Sequence, residues 1–250
     1  MCRLKSCLVL KDRVFCPDYD SHQSMLEELG IEDDYLHASK TFVRVELTPP
    51  DGVKSLMKPV DRWTLKVDQD VTPVWWDEKA DRQRVEEAVE AWRREHVFAE
   101  GEHIVKAGEV YACGSARVEA WESATVYAFG SATVKAYSNA TVIAYDNATV
   151  KAYNSVTVDA YDNAKVYAFG SATVYAFGSA TVTACESATV EACNSVTVKA
   201  HGNAKVKAFD RAIVKACNSA TVEAFNSAMA IYPEERKIIY PAGWTTETHE

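Results

Sequence analysis

The sequence predicts a mainly β protein: a flattened, two-sided β-solenoid of 16-residue coils, two octads to a coil, behind an N-terminal α+β domain. Three observations predict it. First, one eight-residue phrase recurs from Lys106 to Phe225 almost without slippage, as in Gly130-Ser131-Ala132-Thr133-Val134-Lys135-Ala136-Tyr137 and Asp146-Asn147-Ala148-Thr149-Val150-Lys151-Ala152-Tyr153. A short fixed period of this kind marks a solenoid. Second, turn-forming Gly, Asp, Asn, Glu or Ser, then Ser or Asn, open each phrase, and Ala-Thr-Val-x-Ala-aromatic follows with the alternation of a strand. Third, the inward side of that alternation holds only Ala and Val, while the variable position carries Lys, Glu, Asp, Tyr, Thr or Ile and must face solvent. A three-sided coil would enclose a prism that Ala and Val cannot fill without cavities; two octads back to back enclose a thin slab that they can.

The elements follow in chain order. Residues 1–77 form an α+β head. Its first feature is a hairpin, Ser6-Cys7-Leu8-Val9-Leu10 and Arg13-Val14-Phe15-Cys16 about a Lys11-Asp12 turn, which sets Cys7 opposite Cys16. Two reduced core thiols and a disulfide are both compatible with that pairing, and the lack of a secretory signal favours the thiols. Asp20 or Ser21 can cap a short helix that ends at Leu29 with Gly30 as its stop. Strands follow at Thr41–Leu47 and Trp63–Val67. Residues 78–105 are a capping helix and linker: a helix over about 78–97 carries Val85, Ala88, Val89, Trp92 and His96 on one stripe, placed to cover the first coil.

Residues 106–225 are the octads, starting at 106 and every eighth position to 218, with a degraded copy at Asn226-Ser227-Ala228-Met229. At two octads per coil the stack is about 36 Å long, given a strand spacing of about 4.8 Å. Asn-Ser-Val-Thr-Val recurs at 154 and 194, five octads apart, so that copying step exchanges the two faces. Residues 226–250 supply a hairpin cap, with Ala228–Tyr232 and Lys237–Tyr240 flanking Pro233-Glu234-Glu235-Arg236, and then a frayed tail.

Composition excludes several function classes. The chain carries 27 Lys/Arg against 36 Asp/Glu, a formal net charge of -9. Residues 1–105 hold 15 basic against 22 acidic groups and residues 106–225 hold 10 against 10, so the acidity sits in the head and the repeats do not imitate DNA. Seven cysteines, an odd number without CxxC, predict a reducing compartment, and no signal or membrane-spanning run is present, so a cytoplasmic, soluble protein is expected. No Walker, dinucleotide, HExxH or GxSxG motif occurs, and no cofactor, metal or catalytic residue is expected. Cys2 lacks a His/Asn signature, His22 and His37 lack partners at metal spacing, and Cys185, His201 and Cys217, on successive rungs of one face, would not converge tetrahedrally.

The candidate sites are surfaces. Position eight builds two ladders on 16-residue coils. One holds Trp121, Tyr137, Tyr153, Phe169, Cys185, His201 and Cys217; the other holds Cys113, Phe129, Tyr145, Tyr161, Phe177, Cys193, Phe209 and Phe225. Rings pointing outward would make an apolar interface strip; rings tucked over the coil edge would be packing. Arg117, Lys135, Lys151, Lys165, Lys199 and Lys215 share one face, with Glu119, and offer an anion-binding surface; Glu109, Asp159, Glu191, Lys205, Lys207 and Glu223 share the other.

The phrases Phe129-Gly130-Ser131, Phe169-Gly170-Ser171 and Phe177-Gly178-Ser179, each with Thr two residues after the Ser, are similar to the repeats of bacterial ice-nucleation proteins. That resemblance implies 16-residue coils, and ice binding as one function, but the family's Thr-x-Thr is here Thr-x-bulky, as in Thr133-Val134-Lys135. The stretch Cys7-Leu8-Val9-Leu10-Lys11-Asp12-Arg13-Val14-Phe15 resembles an uncharacterised leader domain found before octad repeats in phage and gut-bacterial proteins, which implies a setting and no activity. The expected function is a non-catalytic scaffold that self-assembles, most simply as a homodimer through a ladder or a coil-end edge. The alternatives are a phage-encoded inhibitor or sequestering protein, binding a host protein or nucleic acid through the head or the Lys face, and an ice-binding protein.

Overall fold

Every eighth residue from Gly114 to Asn226 has a left-handed backbone, with φ between 53° and 69° whether it is Gly, Asn, Asp, Ser or Glu. This is position one of the octad, and it turns the chain through each corner. The computed structural model describes residues 5–233 and 237–239. Cys2, Tyr240 and the segment 245–250 lie outside the described residues. The chain divides into two units, Met1–Val97 and Phe98–Glu250.

The first unit is built on a four-stranded antiparallel sheet ordered β2-β1-β3-β4, from β1 (Lys5–Leu10), β2 (Val14–Phe15), β3 (Phe42–Thr48) and β4 (Thr64–Val67). Leu8 pairs with Phe15 and Val9 with Val14, the register expected from the Lys11-Asp12 turn, and both Cys7 and Cys16 are free thiols. A hydrogen bond with the neighbouring Cys16 thiol, and then burial, push the Cys7 thiol well above its usual range. Helix α1 (His22–Leu29) is capped by the Ser21 hydroxyl, which accepts from Ser24 N, and stops at left-handed Gly30. A short helix the sequence pattern did not suggest, α2 (Tyr35–Ala38), is nucleated by Asp34, whose carboxylate accepts from His37 N. Helix α3 (Glu78–His96) buries Val85 and Val89. Arg84 Nη2 donates to Leu10 O of β1 at 3.0 Å and Arg82 Nη2 to Trp63 O at 2.9 Å, which ties α3 to the head sheet. Among the described residues, no helix is long and apolar enough to cross a membrane.

The second unit is the solenoid, with about eight coils in two parallel sheets. The strands are β5 (Val97–Phe98), β6 (Glu102–Val105), β7 (Glu109–Ala112), then four-residue strands at every octad from β8 (Arg117–Ala120) to β21 (Thr221–Ala224), β22 (Met229–Tyr232) and β23 (Lys237–Ile239). Even-numbered strands from β6 to β22 form one sheet, with β23 added at its end, and odd-numbered strands from β5 to β21 form the other. Registers of 16 residues, such as Val134↔Val150 and Val142↔Val158, make the coil two octads long. The sheets reach two strands ahead of Lys106, β5 in one and β6 in the other; β6 pairs with β8 at an offset of 15, because the bend at Lys106-Ala107-Gly108 is a residue short of the standard corner.

Packing follows the sequence pattern. In each standard octad Ala or Val at position three, Val at five and Ala at seven face inward, and from Ala124 to Val214 none is more than 2% exposed. Backbone bonds join coil to coil outside the strands too: position-eight N–H groups donate to position-seven carbonyls one coil earlier, as in Tyr137 N→Ala120 O (2.9 Å) and Phe177 N→Ala160 O (2.8 Å). The predicted C-terminal hairpin forms between β22 and β23, with Ile231 opposite Ile238.

Corners approach each other closely. A Cβ on Gly170 would stand 3.0 Å from Asn154 N in the coil before, on a backbone with φ of 69°. Gly170→Ala is therefore expected to destabilise the solenoid by about 1–2 kcal/mol, whereas Asn154→Gly, at φ 59°, should leave stability nearly unchanged. Urea unfolding of the two variants followed by circular dichroism checks both, and equal losses would show that the corners are not the constraint.

Candidate functional site

The solenoid's outer surface comprises two faces and two corner columns. On the even-strand sheet the register aligns Glu119↔Lys135, Lys135↔Lys151 and Lys199↔Lys215, while Lys165 stands opposite Thr149 and Thr181. Arg117 and the five lysines thus share one face, as expected. Glu119 accepts from Lys135 Nζ at 2.9 Å and holds its pKa up, and Arg117 pairs with Glu102 at 3.4 Å. Lys151, Lys165, Lys199 and Lys215 make no ion pair among the described residues. The odd-strand sheet carries Asp159, Glu191, Lys205, Lys207 and Glu223. Asp159 is half-buried between Ile143 and Tyr175, and burial raises its carboxyl above the usual range.

Position eight answers the question of which way the rings face. They do not splay outward; each lies on the ring one coil away. Trp121–Tyr137–Tyr153–Phe169 stack in one column with centroids 4.2, 5.0 and 5.2 Å apart. Phe129–Tyr145–Tyr161–Phe177 stack in the other at 5.1, 5.0 and 5.2 Å, and Phe209–Phe225 continue it at 4.9 Å. Parallel register repeats one rotamer at each coil, so a stack at the rung spacing follows, and such pairs contribute roughly 0.5–1.5 kcal/mol each. Phe129 is buried and most other rings are half-buried; Trp121 and Phe225, at column ends, are the exposed ones. A further stacked pair, Tyr111–Tyr127 at 5.2 Å, sits at position six of the odd-strand sheet, where the octad pattern predicts a solvent residue.

The corners also hold a side-chain relay that sequence reasoning missed. Asp146 accepts from Gly130 N (3.2 Å), Asp162 from Asp146 N (3.3 Å), Glu186 from Gly170 N (2.8 Å), Asn194 from Gly178 N (3.3 Å) and Asp210 from Asn194 N (3.1 Å). Each reaches back one coil, so position-one Asp, Asn and Glu cap the corner before as well as turning their own. The signal was the spacing of acidic and amide residues at multiples of 16.

Metal-ligand geometry is poor where cysteines suggested it. The ligand atoms of Cys185, His201 and Cys217 do not gather within 4.8 Å of one another, whereas His22, Glu46 and Asp68 do, as do Glu32, Asp34 and His37. In the first of these head clusters Lys66 Nζ stands 3.2 Å from Asp68 and 3.9 Å from Glu46, so an ammonium already supplies the balancing charge. In the second, Asp34 is engaged as the α2 cap and accepts from His37 N at 2.8 Å. A depression of about 630 Å³ beside them is lined by Asp33, Arg44, Asp68, Gln69 and Asp70, but Arg44 is paired with Asp33. Gln69 spends its amide on Arg44 N, Phe42 O and Val71 O.

Compared with known proteins, the chain matches no protein-family model, no curated protein and no solved structure.

Asp159 gives a pH test. Its folded pKa is raised, so between the unfolded and folded values the native state binds the extra proton, and stability falls as pH rises through that window. Asp159→Asn should stabilise the solenoid at neutral pH and lose that advantage below the unfolded carboxyl pKa of about 3.9. Thermal melts of both proteins at pH 7 and at acid pH measure this; identical melts at pH 7 would show the carboxylate to be fully solvated.

Proposed function

We propose that the protein is a non-catalytic scaffold whose solenoid associates with a second copy to give a homodimer. The observation that carries this reading is the strand edge at the C-terminal coil, which is open among the described residues. Thr221 N and Phe225 N of the last odd strand donate back to Ala204 O and Ala208 O. On its other side, no donor among the described residues reaches the Ala220 or Ala224 carbonyl. Val222 is partly exposed and Phe225 is 42% exposed, whereas their counterparts one coil back are covered or half-covered. An unpaired edge over a dry core is a template for another chain. The ladders' flanks fit this role less well, since their rings are engaged with one another.

Sedimentation of the wild-type chain is expected to give a dimer, and a monomer at every concentration would sink the reading. The variant carrying Tyr145→Ser, Tyr161→Ser and Phe177→Ser separates the two surfaces: a dimer places the interface at the coil end, and a folded monomer places it on the ladder.

The unpaired lysines support a second reading, in which the even-strand face binds an anionic polymer such as a nucleic acid of a host. Lys151 and Lys199 replaced by Glu should then abolish binding of single-stranded DNA in fluorescence anisotropy, and wild-type affinity should fall steeply with salt. Binding indifferent to salt, or no binding, removes this alternative. Ice binding, which the repeat resemblance suggests, has weaker support: each face carries one Thr column, unbroken from Thr125 to Thr189 on the odd-strand sheet and interrupted by Lys165 after Thr133 and Thr149 on the even-strand sheet, and bulky or charged residues occupy the neighbouring column. Thermal hysteresis would be its readout.

A further inference from the structure

The terminal coil ends in a step. Among the described residues, the odd-strand sheet stops at β21 and the even-strand sheet at β22, on the same coil, but β23 then adds one more strand to the even-strand side alone. One face of the solenoid therefore stands one strand taller than the other.

We infer that this step is the dimer interface, closed by a two-fold axis that runs parallel to the strands between the two sheets, so that β23 of each copy pairs with β21 of the other. This inference rests on the self-association proposed above and gives it a geometry. Rotation about such an axis lays the taller sheet of one copy over the shorter sheet of the other, and both steps fill at once. Strand direction is preserved. Because β23 runs antiparallel to β22, and strands in the two sheets of a two-octad coil run in opposite senses, β23 runs the same way as β21. The new junction is therefore parallel, like every other junction between octads.

The hydrogen-bonding groups match as well. In a parallel strand, alternate residues bond to opposite neighbours. Thr221 and Phe225 bond backward, so Val222 and Ala224 present their N–H and C=O groups outward. On β22, Met229 N donates back to Ala212 O, so Ala230 and Tyr232 bond to their β23 partners Ile239 and Lys237, and Ile238 turns its N–H and C=O to the free edge. The second copy's Ile238 then fits opposite Glu223, its N–H donating to Val222 O and its carbonyl accepting from Ala224 N–H.

The competing symmetric arrangement fails on shape. A two-fold axis normal to the sheets would pair β21 with its own copy, and would place the second copy's β22 on the level that β23 already occupies. A two-fold contact also closes: with both steps filled, no further copy adds at that end.

Two proline substitutions in the full-length chain test this. Ala224→Pro and Ile238→Pro each remove an N–H that bonds to nothing among the described residues, at strand edges where proline is tolerated. Each should turn the wild-type dimer into a monomer in sedimentation equilibrium with the far-ultraviolet circular dichroism unchanged. As a measurement that does not depend on the proline variants folding, the double variant Glu223→Cys with Ile238→Cys should give a covalent dimer on a non-reducing gel, which neither single variant gives. A wild-type chain that is monomeric throughout overturns both the scaffold reading and this inference. A wild-type dimer that survives either proline in folded form, or that fails to cross-link through the two cysteines, overturns the step interface alone. Particles that keep growing with concentration exclude the closed two-fold.

Discussion

The solenoid depends on the width of its interior. Ala and Val are the only side chains each standard octad sends inward, and each coil therefore has room for two strands and no more. Fully burying a valine contributes about 1.5–3 kcal/mol, so the driving force per octad is modest, and it is collected only when coils stack. The same narrowness sets the register. A slip of one residue would bring Thr and Lys into a slab that has no water and no room for them, so parallel pairing at intervals of 16 is enforced at every rung.

Two features at the corners follow from this. A slab two strands wide needs a sharp reversal every eight residues, which the left-handed residue at position one provides. Such corners expose backbone N–H groups, and the side chains of Asp146, Asp162, Asn194 and Asp210 satisfy several of them from one coil away. The ring at position eight then closes the corner by lying on the ring of the next coil. Aromatic residues that look like an interface strip in the sequence thus also stack on one another within the chain, from Trp121 to Phe169 in one column and from Phe129 to Phe177 in the other.

Much of this was legible beforehand. The hairpin register about Lys11-Asp12, the Ser21 cap, the Gly30 stop, the face shared by Lys135, Lys151, Lys199 and Lys215 and the two-octad coil all follow from periods of two, 3.6 and eight. The five-octad duplication was legible too: Val158 lies on the odd-strand sheet and Val198, its copy, on the even-strand sheet, so the octads are interchangeable between faces. Less legible were α2, whose four residues carry no periodic pattern, and the bend at Lys106-Ala107-Gly108, where the phrase persists but the coil is one residue short. The His22–Glu46–Asp68 cluster could not be read at all, because its members come from a helix, a strand and the loop after another strand, with no common spacing.

The sequence by itself determined the repeat length, the alanine–valine filling, the corner residues and the sorting of charge onto two faces. These depend on which side of a local backbone a residue occupies, and that is set by neighbours along the chain. Only the tertiary structure decided that the rings stack on one another, that Lys66 neutralises the head cluster and that the C-terminal coil ends in a step. Those outcomes depend on hydrogen bonds and contacts whose partners come together only once the sheets have formed.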